Sequence, residues 1–243
     1  MKSESLVYEA DGLRMVSELY LPEGGGARRP GVLVFPEAFG LGEHAKSRAE
    51  RLAALGYVAL AGDLHGEGRM IGDMEQVMGL LAPLRSNPAR IRARAEGALQ
   101  ALSARKEVDP ARIAAIGFCF GGTMSLELAR GGADIKAVVG FHSGLQTVAP
   151  QDAKNIRARV LLCIGADDPG IPLEMRTDFE REMRVGGVNW QMHLYGGVLH
   201  SFTNPKADAL GRPEFARYDA LADQRSWTAM RTLFAEVLDQ PSA

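Results

Sequence analysis

From residue 31 onward the chain alternates short, nearly all-apolar runs with longer stretches of helical period. That alternation limits the possible folds more than any other feature. "GVLVFPE" (31–37) is almost continuously apolar, as expected of a strand buried on both faces of a sheet. "EHAKSRAERLAALGY" (43–57) then places Ala45, Ala49, Leu52 and Ala53 on one helical face, with Gly56 positioned to stop the helix. The strand "YVALAGD" (57–63) follows, and then two helical stretches near 73–85 and 88–106, separated by "NP". "ARIAAIGF" (111–118) reads as a strand leading into the helix "GGTMSLELARGG" (121–132). "IKAVVGF" (135–141) and "ARVLLCIG" (158–165) are further strands rich in Val and Ile. Residues 173–185 read as helix, "NWQMHLY" (189–195) as strand, and 217–239 as a closing amphipathic helix.

Strands that recur after helical crossovers run parallel, so the sequence predicts one α/β domain over 1–243, a mostly parallel sheet with helices on both faces. Ahead of this unit, "LRMVSELYLP" (13–22) alternates polar and apolar residues and suits an antiparallel edge strand. "GGGARRP" (24–30) and "TVAPQDAKN" (147–155) read as loops within the same domain, since strands of the same character continue beyond each.

Charge and cysteine usage narrow the function. The net charge is −2 with no basic run, which argues against nucleic acid as a partner. "MKSESLVYEADG" has no apolar core of signal-peptide length, and no run approaches the ~20 apolar residues of a membrane span. The expectation is a soluble, cytoplasmic protein that does not enter membranes. Two cysteines, Cys119 and Cys163, are too few for a disulfide framework, and no His/Cys cluster has zinc-ligand spacing. The reading therefore requires neither a metal nor a cofactor.

"IGFCFGG" (116–122) carries the chemistry. Gly117-Phe118-Cys119-Phe120-Gly121 follows the G-x-nucleophile-x-G outline of a turn between a strand and a helix. Such a turn exposes the nucleophile at a helix N-terminus, where the dipole favours thiolate and the Phe120 amide can face an oxyanion. The competing reading is a small buried cysteine filling a tight bend, since free cysteine is among the most buried residues. A phosphate loop fits poorly, because the Lys-Ser/Thr ending is missing. Partners occur in the chain order nucleophile, acid, histidine: Asp168 in "CIGADDPGIP" (163–172) and His200 in "YGGVLHSF" (195–202), each in the loop after its own strand. His200 would take the thiol proton and Asp168 would orient the imidazole. Asp167 is the alternative acid; Asp168 is favoured because it begins the "DPGIP" loop.

These stretches, with "FPEAFGL" (35–41) and "GDLHGEG" (62–68), make the sequence resemble the dienelactone hydrolase family of α/β-hydrolases over about residues 13 to 238. The resemblance implies an α/β-hydrolase fold and a triad of Cys119, Asp168 and His200. It also implies that Glu37 sits beside the resting thiol and restrains its ionisation, and that Ala38 supplies the second oxyanion amide beside Phe120. One departure stands out. Members acting on dienelactone hold its carboxylate with arginines, one of them four residues after the histidine, where this chain has Asn204. Arg85 is left as an anion contact, although a lone arginine is more often a solvated charge. The pocket is therefore expected to suit neutral acyl compounds, and the chain is similar to relatives with promiscuous esterase and phosphotriesterase activity.

Further residues were weighed as pocket lining. Phe39, Phe118, Phe120 and Trp190 could shape an aromatic acyl pocket, but aromatics near strand ends are mostly core. His65 and His142 follow strands and are candidates to line the pocket, with a structural role on local backbone as the alternative for His65; His142-Ser143 lacks the flanking-glycine elbow of a serine nucleophile. Cys163, inside an apolar strand, reads as inert packing, and His44 and His193 as positions without chemistry. The expected activity is hydrolysis of small esters, lactones or phosphotriesters. The rivals are a true carboxymethylenebutenolidase of aromatic degradation and a non-catalytic binding protein on the same scaffold. The sequence is compatible with a homodimer without requiring one.

Overall fold

The structure, a computed structural model, describes residues 2–24 and 27–239. Among the described residues eight strands lie in one sheet: β1 (Lys2–Ala10), β2 (Leu13–Leu21), β3 (Arg29–Phe35), β4 (Val58–Ala61), β5 (Val108–Phe118), β6 (Ala137–Phe141), β7 (Arg159–Gly165) and β8 (Trp190–Tyr195). Their spatial order is β1-β2-β4-β3-β5-β6-β7-β8. From β4 to β8 each neighbouring pair is parallel, while β1–β2 and β2–β4 are antiparallel.

β3 shows how the strand sequences divide the core. Side chains alternate across a strand, so Val32 and Val34 face one helical layer and Leu33 and Phe35 the other. The first layer contains α1 (Glu43–Ala54) and α6 (Ala220–Val237), which contribute Ala49, Leu52, Trp227 and Phe234. The second contains α2 (Met74–Arg85), α3 (Pro88–Ser103), α4 (Phe120–Arg130) and α5 (Leu173–Val185), which contribute Leu81, Ala95, Leu99, Met124 and Phe179. Each fully buried Leu or Phe contributes about 1.5–3 kcal/mol. Losing such contacts on both faces would free the strand ends that carry the site.

Two expectations change. "LRMVSELYLP" forms β2 and pairs antiparallel, but it is not an edge strand, because Lys2–Ala10 pairs along its outer side. The turn between these two strands is Asp11-Gly12, with φ of 51° and 70°. Two positive φ values in a two-residue loop match the twist of a hairpin, which is why Asp-Gly closes this one. The 147–155 loop contains a 3₁₀ turn at Pro150–Asn155, and "GGGARRP" overlaps β3 at Arg29-Pro30, with Gly25 and Gly26 outside the described residues. Among the described residues no helix is long and apolar enough to cross a membrane.

Parallel register brings the chemistry to one edge. Phe35 pairs with Gly117, and Phe118 with Phe141. The loops after β3, β5, β6, β7 and β8 therefore leave the sheet side by side, carrying Glu37, Cys119, His142, Asp168 and His200.

Candidate active site

β5 ends and α4 begins at Cys119, whose φ of 52° and ψ of −117° lie in a strained region for a residue with a side chain. The flanking glycines are required by contact. A Cβ on Gly117 would lie 2.0 Å from the Gly121 carbonyl oxygen, one on Gly121 2.2 Å from that of Phe35, and one on Gly122 2.0 Å from Ser143 Oγ. The Cys119 N–H donates to the Phe141 carbonyl at 3.0 Å and also to His142 Nδ1 at 3.2 Å. The strained residue is thus fastened to the next strand.

His200 sits between the thiol and an acid. Its Nδ1 is 2.7 Å from Asp168 Oδ2, and its other side forms a hydrogen bond with Cys119. Asp168 is buried at 2% exposure, and its Oδ1 accepts from the Gly170 amide at 2.8 Å, whereas Asp167 is exposed. That burial separates the two candidate acids. Burial alone would lower the His200 pKa, but the charge on Cys119 and the hydrogen bond to Asp168 outweigh it and raise the value to about 10. His200 therefore holds its proton as an imidazolium against the cysteine. Cys163 differs: burial, only partly offset by the Tyr195 hydroxyl, pushes its thiol up to about 12.

A cleft of ≈ 1120 Å³ opens over Cys119 and His200, running between the C-terminal end of α2, the first turns of α4, and α5. Arg85 and Phe120 line it, with the Arg85 guanidinium 5.9 Å from the Phe120 ring centroid. Phe215, which the sequence reading missed, lines the cleft and lies 5.0 Å from the His200 ring. No motif marks it; only the pairing of His200 with the 212–216 segment brings it in.

Four expected pocket residues lie elsewhere. Phe118 is fully buried in the layer with α1 and α6, stacked on Phe141 at 4.9 Å, because its side chain points opposite to the cleft at the end of β5. His142 is also fully buried. The positive φ of 40° after β6 turns its ring toward the Cys119 amide, and Nε2 bonds Thr203 Oγ1 at 2.8 Å. Burial, then the positive neighbour His200, hold its pKa well below the usual value, so it remains a neutral acceptor for the Cys119 amide. Phe39 packs against the core cluster and its carbonyl accepts from Ile71. Asn204 is not part of the cleft lining and is engaged with a carboxylate: its Nδ2 donates to Glu37 Oε2 at 2.7 Å.

The expected Glu37–thiol pair is replaced by another arrangement. Glu37 Oε1 accepts from Ser201 at 2.9 Å, Oε2 accepts from Asn204, and His44 Nδ1 lies 3.6 Å from Oε2. Cys119 pairs with His200 instead. His44 was expected to have no chemistry, yet it bridges Glu37 and the Thr203 carbonyl, at 3.1 Å from the latter.

Burial would raise the Glu37 pKa, but the imidazole of His44 at 3.6 Å, then His142 and Ser201, bring it down from 4.5 to about 2. A depressed carboxylate stabilises the fold above its unfolded pKa, and that contribution is lost as pH falls through the folded value. At about 1.4 kcal/mol per unit, this is on the order of 3 kcal/mol, lost between pH ~4.5 and ~2. Glu37→Gln should therefore be less stable than wild type at pH 6, with a flatter decline of Tm across that window. Parallel Tm–pH curves would show that the carboxylate contributes nothing there.

A model of the dienelactone hydrolase family matches residues 17–238. The chain belongs to the dienelactone hydrolase family. Among solved structures it is similar to m3DLH, with 52% identity, a TM-score of 0.94 and 98% of both chains covered. It is also similar to the dienelactone hydrolase-like promiscuous phosphotriesterase P91 from metagenomic libraries, with 44% identity and a TM-score of 0.92 over 97% of this chain and 98% of that one. A putative carboxymethylenebutenolidase of Methylorubrum extorquens is 29% identical over 75% of this chain and 66% of its own length. This member of the family is a hydrolase of small-molecule ester bonds on an α/β-hydrolase fold.

Proposed function

We propose that the protein hydrolyses carboxylic esters and lactones by a Cys-His-Asp mechanism, and that neutral substrates, aryl esters and phosphotriesters among them, suit it best. The carrying observation is His200, held by the buried Asp168 at 2.7 Å on one side and bonded to Cys119 on the other, at a strained strand–helix turn.

Each step follows from those positions. Cys119 Sγ attacks the acyl carbon, forming an S–C bond and moving the carbonyl electrons onto oxygen. The amides of Phe120, at the α4 N-terminus, and Ala38 donate to that oxyanion. The C–O bond to the leaving group then breaks, and His200 gives its proton to the departing alkoxide. His200, now neutral, takes a proton from water, whose oxygen attacks the thioester. Collapse releases the acid and regenerates the thiolate–imidazolium pair. Asp168 keeps the imidazole in the Nε2-facing orientation throughout. The same oxyanion donors can serve a P–O oxygen, which fits the likeness to the phosphotriesterase P91.

Substrate charge is the direct test. Asn204 is bound to Glu37; among the described residues the cations lining the cleft are Arg85, near the Phe120 ring, and Arg181, which bonds Asp178. kcat/KM for a neutral aryl ester is expected to exceed that for an anionic dienelactone by roughly fivefold, about the 1 kcal/mol worth of one lost ion pair in a solvent-exposed site. A preference for the anion would overturn the neutral-substrate reading and favour a true carboxymethylenebutenolidase.

A further inference from the structure

The Ala38 amide is aimed by its neighbours, since alanine has no side chain able to anchor it. The Glu37 carbonyl, which shares that peptide group, accepts from the Gly40 N–H at 3.0 Å. The next carbonyl, that of Ala38 itself, accepts from His65 Nε2 at 2.8 Å. A peptide group is planar and trans, so pinning the carbonyls on both sides of the Ala38 Cα leaves its N–H little freedom to swing. The segment also lies against the nucleophile's turn: a Cβ on Gly121 would meet the Phe35 and Pro36 carbonyl oxygens at 2.2 and 2.5 Å.

His65 is itself rigidly held. It is 2% exposed, and its amide donates to Asp63 Oδ1 at 3.0 Å. The Asp63 carboxylate also accepts from the amides of Val16, Gly66 and Gly68, locking the loop after β4. The His65 carbonyl accepts from Arg69. Nδ1 is enclosed with no hydrogen-bond partner, so the ring proton resides on Nε2, where the Ala38 carbonyl uses it. The ring is wedged against the 37–40 turn: a Cβ on Gly40, itself at φ 103°, would be 3.1 Å from His65 Cδ2 and 2.3 Å from the Arg69 carbonyl oxygen.

We propose that His65 is a positioning residue for the oxyanion hole, which fixes the Ala38 peptide so that its amide meets the oxygen of the tetrahedral intermediate. The inference rests on the Cys119 triad reading and on the Ala38 amide as a donor. His65 touches no substrate; it acts through one backbone hydrogen bond. An oxyanion donor works in the transition state, so its misplacement lowers kcat and leaves KM nearly unchanged.

The test compares His65→Gln with His65→Asn. Glutamine places its amide nitrogen near the position of Nε2 and can still donate to Ala38, whereas asparagine is one methylene too short. Two rates are measured: turnover of a neutral aryl ester, and alkylation of Cys119 by iodoacetamide. Alkylation forms an S–C bond and expels iodide without building an oxyanion. His65→Asn is expected to lower kcat roughly 10- to 100-fold, below the full cost of deleting a donor, with KM and the alkylation rate within about twofold of wild type. His65→Gln should stay within about threefold of wild-type kcat. If His65→Asn keeps wild-type kcat, if it slows alkylation as much as turnover, or if His65→Gln falls as far as His65→Asn, the inference is overturned. Failure of the triad reading would appear separately, as turnover that survives Cys119→Ala.

Discussion

Cys119→Ala is expected to lower kcat/KM for an aryl ester by at least ~10⁴-fold while leaving Tm within a few degrees of wild type, because under the proposed Cys-His-Asp mechanism losing the nucleophile abolishes the covalent route and spares the cleft. Stability should hold because alanine fits the same strained φ of 52° about as well as cysteine, and the Gly117, Gly121 and Gly122 contacts that shape the turn involve no sulfur. A second signal accompanies the rate. The His200 pKa is raised to about 10 chiefly against burial by the charge on Cys119, with Asp168 assisting. Deleting the Cys119 sulfur removes the leading support, so the imidazole should titrate at a lower pH in the variant, toward its ordinary value of 6.5, as read by NMR of the ring. Retained turnover together with an unmoved titration would remove Cys119 from the mechanism altogether.

The parts of this site that were legible in the sequence share one property: each is fixed by a strand end. Cys119, Asp168 and His200 fall in loops after successive parallel strands, and parallel register forces those loops to one edge whatever the helices do between them. The glycines of "GFCFGG" were legible for a similar local reason, since a Cβ at Gly117, Gly121 or Gly122 meets backbone or side-chain atoms at 2.0 to 2.2 Å. Which way a strand-end side chain faces was harder to read. Phe118 and Phe120 flank the same cysteine, yet one is core on the α6 side and the other lines the cleft, a difference decided by the strand–helix boundary falling at Cys119. His142 was ambiguous because its φ of 40° turns the ring into the core beside Cys119, and no residue pattern marks that turn. Asn204 illustrates a third limit: its partner Glu37 lies more than 160 positions earlier, so only the folded chain pairs them. The β1–β2 hairpin was a readable feature left unread, since Asp11-Gly12 between alternating runs is a strong turn signal.

The wall of the cleft opposite α2 depends on a charge cluster, and there the largest stability effect is expected. Arg130, at the end of α4, is 0% exposed; its Nε and one terminal nitrogen bond Glu182 on α5 at 2.7 and 2.9 Å, the other bonds Glu127 at 3.0 Å, and the Leu145 carbonyl accepts at 3.0 Å. Glu127 has a second cation, Arg92, which also bonds Asp152, but Arg130 is the guanidinium that engages Glu182. Arg130→Met fills similar volume yet leaves the buried Glu182 carboxylate without its counter-charge. Breaking a buried pair from one side costs about 3–5 kcal/mol, so at about 2–4 °C per kcal/mol for a chain of this size Tm should fall by roughly 10 °C or more. If the cost comes from the stranded carboxylate and not from lost packing, adding Glu182→Leu to Arg130→Met should recover part of that fall, because an apolar pair needs no counter-ion. A double variant no more stable than the single one would place the cost in packing. The effect would reach function through α4: it begins at the nucleophile's turn and ends at Arg130, so loosening its far end from α5 and Leu145 widens the cleft they line. Activity of the surviving folded fraction is then expected to fall mainly through KM, since Cys119, His200 and Asp168 at the near end keep their own hydrogen bonds.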